Sequence, residues 1–244
     1  MNFRKVSFII IFPLCSISCN QDNLQNENCD HLIDEPYDFP LKPGVPEWGD
    51  LETEEERINA VQVPESLLKC LTDEALLQTC IDCPLYIHLF ASSNPDPSIG
   101  FGKIVDDFNG LQEFYGRKYI ERVLLCRYVM EDIYSFVERN DVFRLYYFFM
   151  FLSRESIISE LTEDQVVILI EKSLDYYNTI LNESPPYVIC CNVVELATVY
   201  LMVKVMLYNN FPPFVHYYES LDFINESAVP PDSTTKYARQ FIHQ

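Results

Sequence analysis

The chain has 244 residues, of which 48% are hydrophobic and 14% aromatic, so it can build a folded core and is not a disordered protein. Its 17 basic and 37 acidic residues give a net charge of −20, which disfavours binding to nucleic acid or to anionic lipid surfaces. With only 6 glycines and no alternation of apolar and polar residues, a β-sandwich or barrel is also disfavoured. We expect an all-α fold, either an irregular multi-helix bundle or a short αα-array.

The N-terminus has the features of a bacterial lipoprotein leader. Basic residues precede an apolar stretch, residues 6–14, that is too short to span a bilayer. Small residues, Ser16 and Ser18, stand at positions −3 and −1 before Cys19, as in a lipobox. We therefore predict a lipoprotein signal peptide over residues 1–18 and lipid attachment at Cys19. The alternative is an ordinary cleaved signal peptide with an incidental cysteine.

Composition divides the rest of the chain into three parts. Residues 19–46 are rich in Asn, Asp, Glu and Pro, which predicts a flexible tether. Residues 47–226 form the predicted α-helical domain, and residues 227–244 a C-terminal tail. Within that tail, the sequence around Ser233 is similar to the Asp-Ser/Thr acceptor of Bacteroides protein O-glycosylation, so Ser233 is a candidate O-glycosylation site.

Helix boundaries in the body can be recognised from capping residues and from helical spacing of apolar side chains. Thr53 with Glu56 and Thr162 with Gln165 fit capping boxes, and Thr72 is placed as a further N-cap. On these signals we predict helices over residues 54–61, 65–71, 73–82, 98–108, 117–130, 141–158, 163–181, 188–208 and 213–224.

The predicted helix 188–208 is long enough to cross a membrane, but charged residues interrupt it. Charged side chains at mid-bilayer cost about 2.5–3.5 kcal/mol each on insertion scales, so a central buried helix is the better interpretation. Glu195 and Lys204 fall on opposite faces of this helix and cannot pair with each other. Glu195 is therefore our candidate buried functional carboxylate. The alternative is that Glu195 reaches an arginine on another helix or the edge of the protein.

Cysteines and aromatic residues are the other groups that could carry chemistry. Cys80 and Cys83 have the spacing of a redox pair, but they fall at a predicted helix end and no second cysteine or histidine pair completes a metal site. We expect no metal and no cofactor, and buried cysteines with at most one or two disulfides. The aromatic run over residues 143–151 is either core or a sugar-stacking platform.

Several short stretches of the body have the order and spacing of a known group of proteins: Lys42–Gly44 with Pro46–Trp48, Pro64–Glu65 leading to Leu71–Thr72, Phe108–Glu113, and Leu152–Leu161. In these stretches the chain resembles uncharacterised lipoproteins of Bacteroides and its relatives. The resemblance implies a location in the envelope of a Gram-negative anaerobe and a helical fold. It implies no activity and no catalytic residues.

The function that these features favour is a non-catalytic binding or scaffold lipoprotein of the bacterial cell envelope. An envelope hydrolase that uses acidic residues in a helical cleft, and a purely structural envelope protein, are the alternatives. We expect contact with the membrane only through the lipid anchor, an envelope protein or glycan as partner, and no nucleic acid. Asn20 after Cys19 favours the outer membrane, by analogy with sorting rules in other bacteria.

Overall fold

The computed structural model is helical, which confirms the predicted fold class. It describes Cys29 and residues 31–91, 96–131, 139–183, 188–221 and 226–244. In these residues the only β-pairing is an isolated parallel bridge between Ile33 and Leu71. The helices are α1 (Pro46–Gly49), α2 (Glu54–Ala60), α3 (Glu65–Leu68), α4 (Asp73–Ile81), α5 (His88–Ala91), α6 (Pro97–Asp107), α7 (Asn109–Gly116), α8 (Ile120–Met130), α9 (Arg139–Leu152), α10 (Glu155–Ile158), α11 (Glu163–Glu183), α12 (Val188–Tyr208), α13 (Pro212–Glu219) and α14 (Pro231–Phe241), with 3₁₀ turns at Pro84–Ile87 and Glu226–Ala228.

The two predicted capping boxes are present and fix the starts of α2 and α11. The Glu56 amide donates to Thr53 Oγ1 at 3.1 Å, and the Thr53 amide donates to Glu56 Oε2 at 2.9 Å. At α11 the amide of Gln165 donates to Thr162 Oγ1 at 3.3 Å, and the Thr162 amide donates to Gln165 Oε1 at 2.9 Å. Each box satisfies backbone donors that the first helical turn leaves unpaired.

Two long helices of the sequence prediction differ in the structure: one begins later than predicted, and the other is divided in two. The predicted helix 117–130 begins only at Ile120, because Tyr119 has a left-handed backbone with φ of 64°. Just before it, the Arg117 guanidinium is held by the Leu71 carbonyl and the Asp73 carboxylate, both at 2.8 Å. The predicted helix 141–158 is interrupted between α9 and α10, and this break becomes important below.

Helix α12 is the centre of the core, as predicted, and has the predicted bounds. It packs against α9, α10, α11, α13 and α14. Its side chains from Ala197 to Val203 are almost fully buried, and Thr198 satisfies its hydroxyl by donating to the Val194 carbonyl at 2.6 Å. Across the residues described above, no helix combines the length and apolar character needed to cross a bilayer.

The aromatic run of α9 belongs to the core. Tyr147, Phe149 and Phe151 are fully buried. Phe151 contacts Tyr147 and Phe101 at ring-centroid distances of 5.1 and 5.2 Å, which are favourable edge and tilted geometries. The sugar-stacking platform considered for this run is therefore wrong, because its rings face other rings and not solvent.

The segment before α1 is fastened to the body at several points. Cys29 forms a disulfide with Cys70, and the Ile33 amide donates to the Cys70 carbonyl at 2.8 Å. Phe39 is only 2% exposed, and its ring centroid lies 6.0 Å from that of Phe108. A covalent bond, backbone pairing and a buried ring thus hold this segment together with the core.

These contacts correct the flexible tether predicted over residues 19–46. The described part of that range, Cys29 and residues 31–46, lies along the folded body, so the domain starts well before residue 47. The composition of the segment suggested a solvated chain, but its two aromatic side chains, Tyr37 and Phe39, pack against the core.

The predicted C-terminal tail, residues 227–244, is also corrected, since most of it forms α14. Thr234 and Ala238 are fully buried and Phe241 is 8% exposed, with the Phe241 ring centroid 5.3 Å from that of Phe211. The apolar positions of α14 recur every three to four residues on an otherwise polar helix. Because the helix is polar overall, its narrow apolar stripe was not recognised in the sequence.

Replacing both Cys29 and Cys70 with serine should lower the free energy of unfolding by about 2–4 kcal/mol, because the crosslink joins positions 41 residues apart. Urea unfolding of the variant and of the wild-type protein measures this difference. Equal midpoints for the two proteins would contradict a structural role for the fastened N-terminal segment.

Candidate functional site

An open cleft in the described part of the chain has a volume of about 320 Å³. It lies where α6, the connection between α9 and α10, and α12 meet. Its polar lining consists of two cations, one carboxylate and three serines: Arg154 and Lys204; Glu155; Ser98, Ser153 and Ser156. We call it the Arg154 cleft.

Arg154 is held in the cleft by its backbone and by two aromatic rings. Its carbonyl accepts from the amides of Ile157 and Ile158, both at 3.0 Å, at the start of α10. Its guanidinium carbon lies 5.0 Å from the ring centroid of Tyr115 and 5.9 Å from that of Phe101, within the range of cation–π attraction. The position of this cation is therefore set before any ligand arrives.

No carboxylate of the described residues pairs with the Arg154 guanidinium. The residue is half-buried, and its guanidinium donors remain available at the cleft. The neighbouring Tyr115 hydroxyl is enclosed and has no hydrogen-bond partner among the described residues. Burial raises the pKa of Tyr115, against the opposite effect of the Arg154 charge, so the phenol is neutral and does not neutralise the arginine.

The charge of Lys204, in contrast, is balanced by two carboxylates. Its ammonium lies 3.2 Å from Glu226 Oε2 and 3.8 Å from Glu155 Oε1, and its side chain is 16% exposed. Lys204 thus pairs with carboxylates from outside its helix and not with Glu195, as predicted from the helical angle. Among the described residues, Arg154 is consequently the cation of this cleft that has no carboxylate partner.

The three serines of the cleft differ in how accessible they are to a ligand. Ser153 is buried and donates to the Met150 carbonyl at 3.0 Å. Ser98, in the first turn of α6, and Ser156, in α10, are exposed. The Ser98 hydroxyl also interacts with Tyr200, whose pKa is raised mainly by burial. Two exposed hydroxyls from different helices therefore accompany the guanidinium.

A smaller cleft of about 140 Å³ lies between α4, α8 and α9. Its arginines are paired: Arg127 with Glu131 at 2.7 Å and Arg144 with Asp82 at 3.4 Å. The Arg144 Nε atom is enclosed and has no hydrogen-bond partner in the described part of the chain, but the carboxylate beside the same guanidinium reduces its attraction for an anion. This cleft is the weaker candidate.

The predicted redox-spaced cysteines are inert. Cys80 and Cys83 are free and fully buried at the end of α4. Burial raises the pKa of Cys83 to about 12 and also raises that of Cys80, so neither is a thiolate nucleophile near neutral pH. Within the described ranges, His, Cys, Asp and Glu side chains form no group of three that could hold a metal ion.

The structure corrects the description of Glu195 as a buried carboxylate. Glu195 is half-buried, its neighbour Leu196 is 52% exposed, and Glu195 lines neither cleft. It lies at the edge of the protein near Tyr177, whose pKa is raised by burial and then by the Glu195 charge. This face of α12 is left uncovered by the neighbouring helices.

The other predicted site residues are not part of the Arg154 cleft. Cys19 lies outside the described residues. Ser233 is half-buried in the first turn of α14 and is followed by the buried Thr234, whereas an exposed loop was expected there. Arg154 was missed by the sequence analysis, although a charged residue that interrupts a long apolar run was a visible signal.

Replacing Glu195 with glutamine should change the free energy of unfolding by less than about 0.5 kcal/mol, because the side chain is only half-buried, at the edge of the protein. It should also lower the pKa of Tyr177. Chemical unfolding and a spectroscopic tyrosine titration measure the two effects. As a comparison, Lys204→Gln should cost about 1 kcal/mol or more, since it breaks two ion pairs in a half-buried position. A comparable loss in Glu195→Gln would restore the buried-carboxylate hypothesis.

Comparison with known proteins adds no family to this description. No family model matches the chain, and neither the curated proteins nor the solved structures contain a match.

Proposed function

We propose that this protein is a non-catalytic binding lipoprotein of the bacterial cell envelope and that the Arg154 cleft is its ligand site. The observation that carries the proposal is a guanidinium fixed by two rings in an open cleft, without a carboxylate partner among the described residues. The chain has a net charge of −20, so a cation with free donors is a local exception on an acidic molecule.

Such an arrangement is suited to binding an anionic group. Guanidinium presents N–H donors in a rigid fork that matches carboxylates and phosphates. The rings of Tyr115 and Phe101 fix the side chain of Arg154, which reduces the entropy lost when a ligand binds. A volume of about 320 Å³ is at the lower end of small-molecule sites.

The same geometry favours binding over the hydrolase alternative. Acid–base hydrolysis of a glycoside requires two carboxylates on either side of the bond, and the described lining of the Arg154 cleft offers only Glu155, whose side chain is 72% exposed. A serine nucleophile requires an adjacent base, and no histidine lines this cleft in the described residues. A purely structural protein would have no use for an arginine in an open cleft without a carboxylate partner among the described residues.

The proposed location rests on the leader and on the disulfides. The lipobox-like sequence before Cys19 and the resemblance to Bacteroides lipoproteins support a lipid anchor, with the outer membrane as the favoured site. Cys29 is bonded to Cys70, and Cys126 is also disulfide-bonded. Structural disulfides are characteristic of exported proteins, which supports a position outside the cytoplasm. The ligand of such a protein would be an envelope protein or a glycan.

The lipid anchor is tested by replacing Cys19 with alanine. The wild-type protein should be recovered in the membrane fraction with labelled acyl chains and without residues 1–18, whereas Cys19→Ala should lose the label and leave the membranes. Mass spectrometry and cell fractionation measure both results. Recovery of the wild-type chain from the cytosol with residues 1–18 attached would overturn the proposed location.

The cleft is tested by titrating the full detergent-solubilised protein with sodium acetate at constant ionic strength. The Arg154 Nε–H resonance, identified by its absence in Arg154→Gln, should shift saturably with acetate and not with chloride. Arg122 is a control outside the cleft: its guanidinium carbon lies 4.9 Å from the ring centroid of Tyr119, but its Nε atom also lies 3.7 Å from Glu121 Oε1. Equal shifts at Arg122 and Arg154 would mean that the cleft has no special affinity for anions.

A further inference from the structure

We infer that the ligand of the Arg154 cleft is a sugar acid, a hydroxylated ring that carries one carboxylate. This inference rests on the proposed function and specifies the chemistry of its ligand. It follows from the charges of the cleft, from the shape of its cation and from the side chains available to the rest of the ligand.

The charged side chains of the cleft favour a ligand with a single negative charge. Arg154 is the unbalanced cation, while Lys204 lies between Glu226 and Glu155 at 3.2 and 3.8 Å. A doubly charged phosphate would gain attraction from Arg154 but would also approach Glu155, which lines the same cleft. Repulsion from that carboxylate, added to the net charge of −20, penalises a dianion more than a monoanion.

The shape of the cation favours a carboxylate. A guanidinium and a carboxylate are both planar and form two parallel hydrogen bonds. The stacking of Arg154 against Tyr115 and Phe101 holds the fork in a restricted set of orientations. Lysine could not replace arginine in this role, because an ammonium provides no fork.

The remaining lining favours a hydroxylated body over an apolar one. Phe101 and Met150 border the cleft, but each is only 1% exposed, so neither offers an aliphatic ligand a broad apolar face. Ser98 and Ser156 are exposed. The Ser156 hydroxyl can both donate to and accept from a ligand hydroxyl, and the Ser98 hydroxyl, which also interacts with Tyr200, retains lone pairs that can accept. A single sugar ring is of suitable size for a cleft of about 320 Å³.

The inference is tested with five probes added to the full detergent-solubilised protein: D-glucuronate, D-glucose, acetate, glucose 6-phosphate and triglycine. Binding is followed at the Arg154 Nε–H resonance and by calorimetry. Glucuronate should bind about 10- to 25-fold more tightly than acetate, since two hydrogen bonds from its hydroxyls contribute roughly threefold to fivefold each. Glucose should not bind measurably, and glucose 6-phosphate and triglycine should bind more weakly than glucuronate.

Variants assign the two parts of the ligand to their residues. Arg154→Gln should weaken glucuronate binding by about tenfold or more, with a wild-type circular dichroism spectrum and a cooperative melting transition as evidence of folding. Ser156→Ala should weaken glucuronate binding by about threefold to fivefold and leave acetate binding unchanged. Arg122→Gln, the control outside the cleft, should bind glucuronate like the wild-type protein.

The outcomes separate this inference from the proposed function. Equal affinities for acetate and glucuronate would overturn recognition of the sugar body, and tighter binding of glucose 6-phosphate or triglycine would overturn the sugar acid as the ligand. In all three cases a saturable shift at Arg154 would leave the anion-binding cleft in place. Failure of every anionic probe to shift Arg154 would overturn both proposals.

Discussion

The fold depends on the burial of α12, a helix with apolar side chains around nearly its whole circumference. Such a helix can be stable in water only if other elements cover it on most sides. Helices α9, α11 and α14 provide most of that cover, with α10 and α13 at the ends. The elements that cover α12 come from both before and after it in the sequence, so residues from both sides of α12 are needed to bury it.

The Arg154 cleft forms where this cover is interrupted. Helix α9 ends at Leu152 and α10 starts at Glu155, so the chain turns away over the part of α12 that carries Lys204. The lysine can keep its charge because Glu226 and Glu155 lie within ion-pair distance. Arg154, in the turn itself, is stabilised by aromatic rings instead. Two cations therefore lie at this one interruption of the packing. Lys204 is paired with carboxylates, whereas Arg154 is stacked on aromatic rings.

The sequence was most informative where structure is determined locally. The capping boxes at Thr53 and Thr162 depend on residues three positions apart, and both are present. The bounds of α12 were also correct. In contrast, α14 was taken for a tail because its apolar stripe is narrow, and its stability comes from packing against α11, α12 and α13.

The Arg154 cleft could not be predicted because its geometry is assembled from distant parts of the chain. Phe101 and Tyr115 come from α6 and α7, while Arg154 follows α9. Nothing local indicates that these three side chains meet. Glu195 illustrates the opposite error: a carboxylate in an apolar sequence seemed buried, but it lies on the narrow face of α12 that reaches the surface.

The bond between Cys29 and Cys70 also limits how far the folded body could lie from a lipid attached at Cys19, the anchor proposed above. Ten peptide steps separate Cys19 from Cys29, and a fully extended chain of that length spans no more than roughly 35 Å. Without the bond, the backbone pairing of Ile33 with Cys70 would be the next attachment to the body, and the maximum span would be longer. With the bond, a ligand held by the body of an anchored protein would stay close to the bilayer.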